Sequence, residues 1–210
     1  MPGHRVFAAL YDRFVIAGPE KAGLRKMRAG LLAAARGRVL ELGAGTGLNL
    51  AHYRDAVTEL VLTEPDPHMA KRLRSRAASI PIPSEVVEAG AERIPFEDRS
   101  FDTVVATLVL CTVDDPDRAA AEAARLLKPD GRLLLIEHVR ADDPRRARWQ
   151  DRFERPWGWL GAGCHPNRNT IATLSARFDV SELSPDQMPG AAPPIVKPLI
   201  RGSARPLTAA

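Results

Sequence analysis

Short apolar runs alternate with amphipathic stretches along most of the chain, and this alternation predicts strands and helices in turn. The run at residues 101–111 is almost continuously apolar, as expected for a strand buried on both faces of a parallel sheet. Strands are predicted at residues 38–42, 60–64, 85–88, 101–111, 131–139, 180–183 and 199–205. Helices are predicted at residues 6–16, 20–35, 46–54, from 66 onward, from 115 to about 128, 145–160 and 171–178. The order predicts an α/β protein with a doubly wound, mostly parallel sheet.

The first predicted strand runs directly into three glycines at alternate positions, Gly43, Gly45 and Gly47. Glycine lets the backbone turn sharply and approach a ligand without an intervening Cβ. The spacing differs from the dinucleotide-binding G-x-G-x-x-G, in which a helix N-terminus meets a pyrophosphate. Glu41 just before the loop favours a ligand that carries positive charge and no phosphate. A glycine-rich turn without any ligand is the alternative interpretation.

The segment Glu-Leu-Gly-Ala-Gly-Thr-Gly at 41–47 resembles the first motif of class I S-adenosylmethionine-dependent methyltransferases. Leu-Lys-Pro-Asp-Gly at 127–131 is similar to the turn that precedes their fifth strand. The resemblance implies a Rossmann-like fold with a seven-stranded sheet, S-adenosyl-L-methionine as cofactor, and N-terminal lid helices. It divides the chain into a helical lid at 1–37 and one methyltransferase folding unit at 38–210.

A carboxylate at the end of the second strand, Glu64, stands about 20 residues beyond the glycine loop, where nucleotide-binding α/β folds grip ribose hydroxyls. Met69 is the candidate for packing on the adenine, because a soft apolar side chain suits an aromatic ring. Gly90 stands where most relatives carry an adenine-binding aspartate, so the base could be held by Ala91 or by Glu92. The implied cofactor contacts are Tyr11, Glu41, Gly43, Ala44, Gly45, Gly47, Asn49, Glu64, Pro65, Met69, Ala91, Glu92, Thr107 and Leu108.

Later motifs narrow the resemblance to the methyltransferase-like alkyl thiol methyltransferases. These motifs are residues 107–111, 136–139, Trp157, Gly163-Cys164 with Arg168, and 202–204. Tyr11-Asp12 is instead similar to the lid of the ubiquinone and menaquinone biosynthesis type. The family therefore implies a small or amphiphilic acceptor, with a thiol favoured. A quinone precursor, a phospholipid headgroup, or cofactor binding without catalysis remain as alternatives.

A thiol with an ordinary pKa of ~8.5 needs only a modest base. His138, at the end of the fifth predicted strand, is the first candidate for that base. His165 is the second candidate, and Arg168 could attract an anionic nucleophile. A structural role is the alternative for each histidine, and the spacing of Cys and His predicts no metal site.

The chain has 210 residues, enough for one domain, and a formal net charge of +4. Its densest basic cluster, residues 71–76, lacks interleaved aromatic residues, which favours a solvated helix face over a nucleic-acid patch. We therefore expect no nucleic-acid partner, and weak association with an anionic membrane surface stays an alternative. Cys111 and Cys164 are too few for a disulfide framework, which favours a reducing cytoplasm. We expect a cytoplasmic monomer or weak dimer acting on a small molecule.

Overall fold

The computed structural model describes residues 17–161 and 163–207. Its centre is an eight-stranded sheet with the order β3-β2-β1-β4-β5-β8-β6, in which β7 also pairs with β8. The strands are β1 (Gly37–Leu42), β2 (Val57–Thr63), β3 (Ser84–Val87), β4 (Phe101–Thr107), β5 (Leu127–His138), β6 (Phe178–Asp179), β7 (Leu183–Gln187) and β8 (Pro198–Pro206).

Within the described part of the chain, five helices flank this sheet. The first is preceded by a helical turn at Ala17–Pro19 and a π-helical turn at Glu20–Leu24, where Gly23 has a φ of +141°. The helices are α1 (Arg25–Leu32), α2 (Pro67–Ala77), α3 (Pro116–Leu126), α4 (Pro144–Leu160) and α5 (Thr170–Ser175). Prolines at the first turn and aspartate N-caps start α2, α3 and α4, as expected for helix N-termini.

The strand order indicates which edge of the sheet can form a binding crevice. β1 pairs in parallel with both β2 and β4, and β4 pairs in parallel with β5. Chain order reverses between β1 and β4, so a crevice opens beyond the carboxyl ends of these two strands. β8 pairs antiparallel with β5, and β6 and β7 pair antiparallel with β8. The predicted doubly wound, mostly parallel sheet is confirmed.

Two predicted elements are wrong. Residues 46–54 form turns and one short 3₁₀ helix (Leu50–His52) instead of a crossover helix. The strand expected at 180–183 is interrupted, because Asp179 Oδ1 accepts a hydrogen bond from Ser181 N at 3.0 Å and Leu183 N donates to Val180 O at 3.0 Å. This turn separates β6 from β7, and the two strands pair with successive stretches of β8.

Each face of the sheet carries its own hydrophobic core. Leu40 and Leu135 belong to one cluster, which also includes α3 and α5, whereas Val39 and Leu134 belong to the other, which includes α1 and α2. Neighbouring residues divide between the clusters because successive side chains of a strand point to opposite faces.

In the described residues, 17–161 and 163–207, no helix combines the length and the apolar character needed to cross a membrane. The first predicted lid helix, with Tyr11, lies outside these residues. The second is found in part, as the π-helical turn and α1.

Candidate functional site

The loop after β1 takes its shape from three glycines with positive φ, at +52° for Gly43, +59° for Gly45 and +87° for Gly47. These values lie in the left-handed region, which a side chain disfavours. A Cβ at Gly47 would lie 2.6 Å from Leu50 Cδ1, whereas one at Gly45 would project into open space. Gly45 therefore presents bare backbone to the open side of the loop.

A crevice that is partly open to solvent lies on that side, at the carboxyl ends of β1 and β4. Its walls come from α1, the glycine loop and the end of β4. Its lining residues are Arg28, Glu41, Gly43, Ala44, Gly45, Thr46, Leu48, Asn49, Thr107 and Leu108. Seven residues predicted as cofactor contacts, Glu41, Gly43, Ala44, Gly45, Asn49, Thr107 and Leu108, are thus brought together.

Glu41 places a buried carboxyl group in this crevice. The residue is 2% exposed, and its two oxygens accept hydrogen bonds from Asn49 Nδ2 at 2.9 Å and from the Tyr53 hydroxyl at 2.7 Å. Burial is the largest cause that raises its pKa, to about 7, and it outweighs the hydrogen bonds and Arg28, which lower the pKa. At pH 7 the carboxyl is therefore about half ionised, and a cation in the crevice would favour its ionised form.

Arg28 of α1 brings a guanidinium to the same crevice, which the sequence analysis did not predict. It is 5% exposed, and its Nε donates to Glu20 Oε1 at 2.8 Å. Its Nη1 donates to Asn49 Oδ1 and Thr107 Oγ1, both at 3.0 Å. One feature of the sequence could have indicated this position: Arg28 follows the apolar Leu24 by four residues, so both lie on the same face of a helix. A planar guanidinium held in this way suits a carboxylate ligand.

Glu64 lies at the end of β2, next to the glycine loop. Its Oε2 accepts from Gly45 N and its Oε1 from Asp66 N, each at 2.9 Å. The residue is 6% exposed, and burial raises the pKa of its carboxyl group. Each oxygen has a second lone pair, so the carboxylate can still accept hydrogen bonds from hydroxyl groups of a ligand.

Pro65 and Met69 follow Glu64 on the way into α2. Pro65 is exposed and Met69 is partly buried. Asp66 caps the helix by accepting from His68 N at 2.7 Å and from Met69 N at 3.0 Å. This cap fixes the backbone from which the Met69 side chain projects.

Beyond β3, the Glu92 carboxylate lies beside Gly90. A Cβ at Gly90 would lie 2.8 Å from Glu92 Oε2, so the Glu92 carboxylate occupies that space. Glu92 Oε1 accepts from Asp114 N at 3.0 Å. Ala91 is 4% exposed and packs in the core.

The end of β4 turns sharply at Leu108, whose φ is +61°. Glu137 of β5, fully buried, holds the following segment by accepting from Val109 N at 2.7 Å, Leu110 N at 2.9 Å and Cys111 N at 3.4 Å. Burial raises its pKa to about 7 although these N–H groups lower it. Glu137 thereby fixes the turn that forms one wall of the crevice.

His138, the first candidate base, points to the opposite face of the sheet from Glu137, as the next residue of the same strand. It is 6% exposed, and among the described residues its buried Nδ1 has no hydrogen-bond partner. Burial lowers its pKa to about 4, against the effect of backbone hydrogen bonds at Pro198 and Val196. His138 is therefore neutral at pH 7 and is a weaker base than an ordinary histidine.

His165 and Arg168 belong to a loop, residues 163–168, that is tied to the segment after β4. His165 N donates to Cys111 O at 2.7 Å, and Arg168 Nη1 donates to Leu110 O at 2.6 Å. The His165 ring lies with Nδ1 at 2.6 Å from Glu154 Oε1 of α4 and is 37% exposed. The contact between Glu154 and His165 could not be predicted from the sequence, because no local signal links residues 11 positions apart across the end of a helix.

Comparisons with known proteins agree with this geometry. A family model described as a methyltransferase domain matches residues 40–135. Thiol S-methyltransferase TMT1B of Homo sapiens is 38% identical over 184 residues, which cover 82% of this chain and 73% of that protein. The chain belongs to the S-adenosylmethionine-dependent methyltransferases.

Other methyltransferases extend the comparison. A phosphatidylethanolamine N-methyltransferase of Cereibacter sphaeroides is 33% identical, over 64% of this chain and 68% of that protein. The structure of a SAM-dependent methyltransferase of Thermotoga maritima, a possible histamine N-methyltransferase, superimposes with a TM-score of 0.67 at 23% identity and covers 96% of each chain. The expected Rossmann-like fold is confirmed. The chain spans 61% to 73% of the lengths of the thiol S-methyltransferases that it matches.

The residues of the crevice fit the cofactor of these methyltransferases. The amino-acid end of S-adenosylmethionine carries an ammonium and a carboxylate, and the crevice holds a buried carboxyl group at Glu41 and a buried guanidinium at Arg28. The open space beyond Gly45 lets a ligand approach the backbone, and the Glu64 carboxylate adjoins it. The charges of the crevice therefore complement a zwitterion.

Proposed function

We propose that this methyltransferase transfers the methyl group of S-adenosylmethionine to the sulfur of a small or amphiphilic thiol. The observation that carries the proposal is the 38% identity, over 82% of the chain, with a protein named as a thiol S-methyltransferase. The acceptor would enter beside the segment after β4, where Leu108 lines the crevice and the loop 163–168 is hydrogen-bonded to residues 110 and 111.

In this proposal the crevice holds the amino-acid end of the cofactor. Arg28 binds the carboxylate in a charge-assisted pair, and Glu41 in its ionised form receives the ammonium. Glu64 accepts hydrogen bonds from the ribose hydroxyls, and the backbone at Gly45 allows close approach. Met69 packs on the adenine, in line with its position at the start of α2.

The bound cofactor supplies a methyl group that its sulfonium already activates. The residues of the chain therefore act chiefly by alignment and by exclusion of water. Glu137 accepts hydrogen bonds from the N–H groups of Val109 and Leu110. These bonds hold the backbone of the preceding residue, Leu108, which lines the crevice. A nucleophilic cysteine of the enzyme is not required, because the acceptor itself carries the nucleophile.

A second candidate function is N-methylation of a phospholipid headgroup. It is supported by the 33% identity with a phosphatidylethanolamine N-methyltransferase. An amine acceptor must lose a proton from a group with a higher pKa than a thiol, near 10 for a primary amine such as lysine. The thiol is therefore the acceptor that the weakly basic residues of this site suit better.

The experiment is a competition between acceptor classes. The purified protein is incubated with methyl-labelled S-adenosylmethionine and, in parallel, with 2-mercaptoethanol, with 4-nitrothiophenol, and with vesicles that contain phosphatidylethanolamine. We expect labelled methyl thioethers and no labelled lipid, and an Arg28→Met variant with little transfer to any acceptor. Labelled phosphatidylethanolamine without labelled thioether would overturn the proposal in favour of the second candidate.

A further inference from the structure

The pair formed by Glu154 and His165 has no assigned role in the crevice itself. Glu154 Oε1 lies 2.6 Å from His165 Nδ1, and the two side chains are 30% and 37% exposed. An ionised carboxylate can only accept a hydrogen bond, so the bond requires a proton on Nδ1. In the neutral ring Nε2 then carries the free lone pair, which makes Nε2 the basic nitrogen of His165.

The backbone attaches this pair to the wall of the crevice. Leu108 lines the crevice, and the chain continues from it to Leu110 and Cys111. The carbonyl groups of these two residues accept the hydrogen bonds of Arg168 and of His165 N, at 2.6 and 2.7 Å. Two hydrogen bonds therefore attach the loop that carries His165 to the segment 108–111, which begins at the wall of the crevice.

We infer that His165 is the proton acceptor for the thiol and that Glu154 is a positioning residue, which holds the ring with Nε2 toward the acceptor. This inference rests on the proposed function. Besides Glu154, the titratable or charged groups around the loop 163–168 are Cys111, Cys164, Arg168, the buried Glu137, and the ion pair of Arg140 with Asp151, whose carboxylate accepts from Asn167 Nδ2 at 3.1 Å. The cysteines and Glu137 are buried, the arginines remain protonated, and the Arg140 guanidinium lowers the pKa of Asp151, so His165 is the better proton acceptor among them.

The chemical step balances without any further reactant. His165 Nε2 takes the proton from the thiol, and the sulfur lone pair attacks the methyl carbon. The bond between that carbon and the cofactor sulfur breaks, and its electron pair stays on the cofactor sulfur. The products are the methyl thioether, S-adenosylhomocysteine and an imidazolium ion, which returns its proton to solvent.

The possible gain from such a base is limited by the thiol. A thiol with the pKa of a free cysteine, ~8.5, is about 3% ionised at pH 7, so complete ionisation would raise its rate about 30-fold, and a thiol with a higher pKa would gain more. An acceptor that is already ionised at pH 7 gains nothing. A loss of rate that appears only with the protonated thiol therefore reports proton transfer to His165, whereas a loss with both thiols reports some other contribution of this residue.

The test compares kcat/KM of the full chain for 2-mercaptoethanol and for 4-nitrothiophenol, whose thiol is ionised at pH 7. We expect His165→Gln to lower kcat/KM for 2-mercaptoethanol by at least about 10-fold at pH 7, with a change of less than about twofold for 4-nitrothiophenol. The loss for 2-mercaptoethanol should shrink toward pH 9.5, where that thiol ionises in solution. Glu154→Gln should show the same selectivity with a smaller loss, and Glu85→Gln, at an exposed glutamate of β3, serves as the matched control.

A second measurement does not depend on turnover. Nitrogen-15 NMR of the imidazole at pH 7.5, with S-adenosylhomocysteine bound, should show His165 protonated at Nδ1 and bare at Nε2, and Glu154→Gln should mix the two tautomers. A wild-type ring protonated at Nε2 would overturn the inference, as would equal losses of His165→Gln on both thiols at every pH. If the wild-type protein methylates neither thiol, the proposed function itself fails and the inference fails with it.

Discussion

The buried carboxyl group of Glu41 makes cofactor binding depend on pH in a way that can be calculated. Its pKa of about 7 means that roughly half of the free protein holds a proton there at pH 7. A ligand ammonium requires the ionised form, so binding must release that proton. For a single site with this pKa, affinity falls about eightfold between pH 7.5 and pH 6, a range in which the ligand ammonium, beside its own carboxylate, stays cationic.

The assay is isothermal titration calorimetry with S-adenosylhomocysteine, which has the same amino-acid and ribose groups and does not react. Titrations in buffers of different ionisation enthalpy count the protons released, and we expect about half a proton at pH 7 and about 0.9 at pH 6. Glu41→Gln should bind more weakly, release no proton and lose the pH dependence. Glu85→Gln, at an exposed glutamate of β3, is the matched control and should behave as wild type.

The refuting result is specific. If Glu41→Gln keeps the wild-type pH dependence and proton release, the titrating group lies elsewhere and Glu41 does not face the ligand ammonium. An equal fall in affinity for Glu41→Gln and Glu85→Gln would attribute the change to net charge instead of to a contact in the crevice.

Further variants test the other parts of the account. Arg28→Met should weaken S-adenosylhomocysteine binding by about 10- to 100-fold in the same titration, the value of a hydrogen bond to a charged group, and wild-type affinity would exclude the proposed carboxylate contact. Since the pKa of Glu137 is about 7 in the folded state and 4.5 is its ordinary value, unfolding free energy should fall as pH rises from about 4.5 to about 7. Urea unfolding should therefore show wild type losing roughly 2.5 kcal/mol more than Glu137→Gln between pH 5 and pH 8, and parallel profiles would contradict the buried ionisation. Gly45→Val should reduce cofactor affinity far more than His138→Ala, because only the first places atoms in the crevice, and equal affinities would remove Gly45 from the site.

The sequence predicted the sheet well because its signals are local. The β-branched run of β4 and the alternation of strands with amphipathic stretches depend on neighbours along the chain. The segment at 46–54 was predicted wrongly for a physical reason. The short connection between Gly47 and β2 is held by tertiary contacts, because Leu50 and Tyr53 are buried in the core and Asn49 and Tyr53 donate to Glu41, and these contacts override the helical pattern.

The part of the candidate site that belongs to a recognisable sequence motif could be predicted from the sequence. Glu41, Gly45 and Asn49 do share one crevice, and Glu64 adjoins it through Gly45. The contribution of Arg28 depends on the packing of α1 over the ends of the strands, which a helical pattern alone does not specify.

The histidines show a further limit of sequence reasoning. His138 and Glu137 are adjacent in β5, yet the pleat sends them to opposite faces, and only Glu137 reaches the turn after β4. A strand assignment could have predicted this division, but the burial that lowers the pKa of His138 to about 4 comes from its tertiary neighbours. The prediction of His138 as base stays a prediction, and its lowered pKa favours His165 in that role.

The most direct test of the central claim is a crystal structure of the protein with S-adenosylhomocysteine bound. The account predicts the ligand carboxylate on Arg28, its ammonium beside Glu41 and its ribose hydroxyls on Glu64, with the sulfur directed toward Leu108. Density for the ligand away from the glycine loop, or a ligand reversed so that its ribose meets Arg28, would contradict the account.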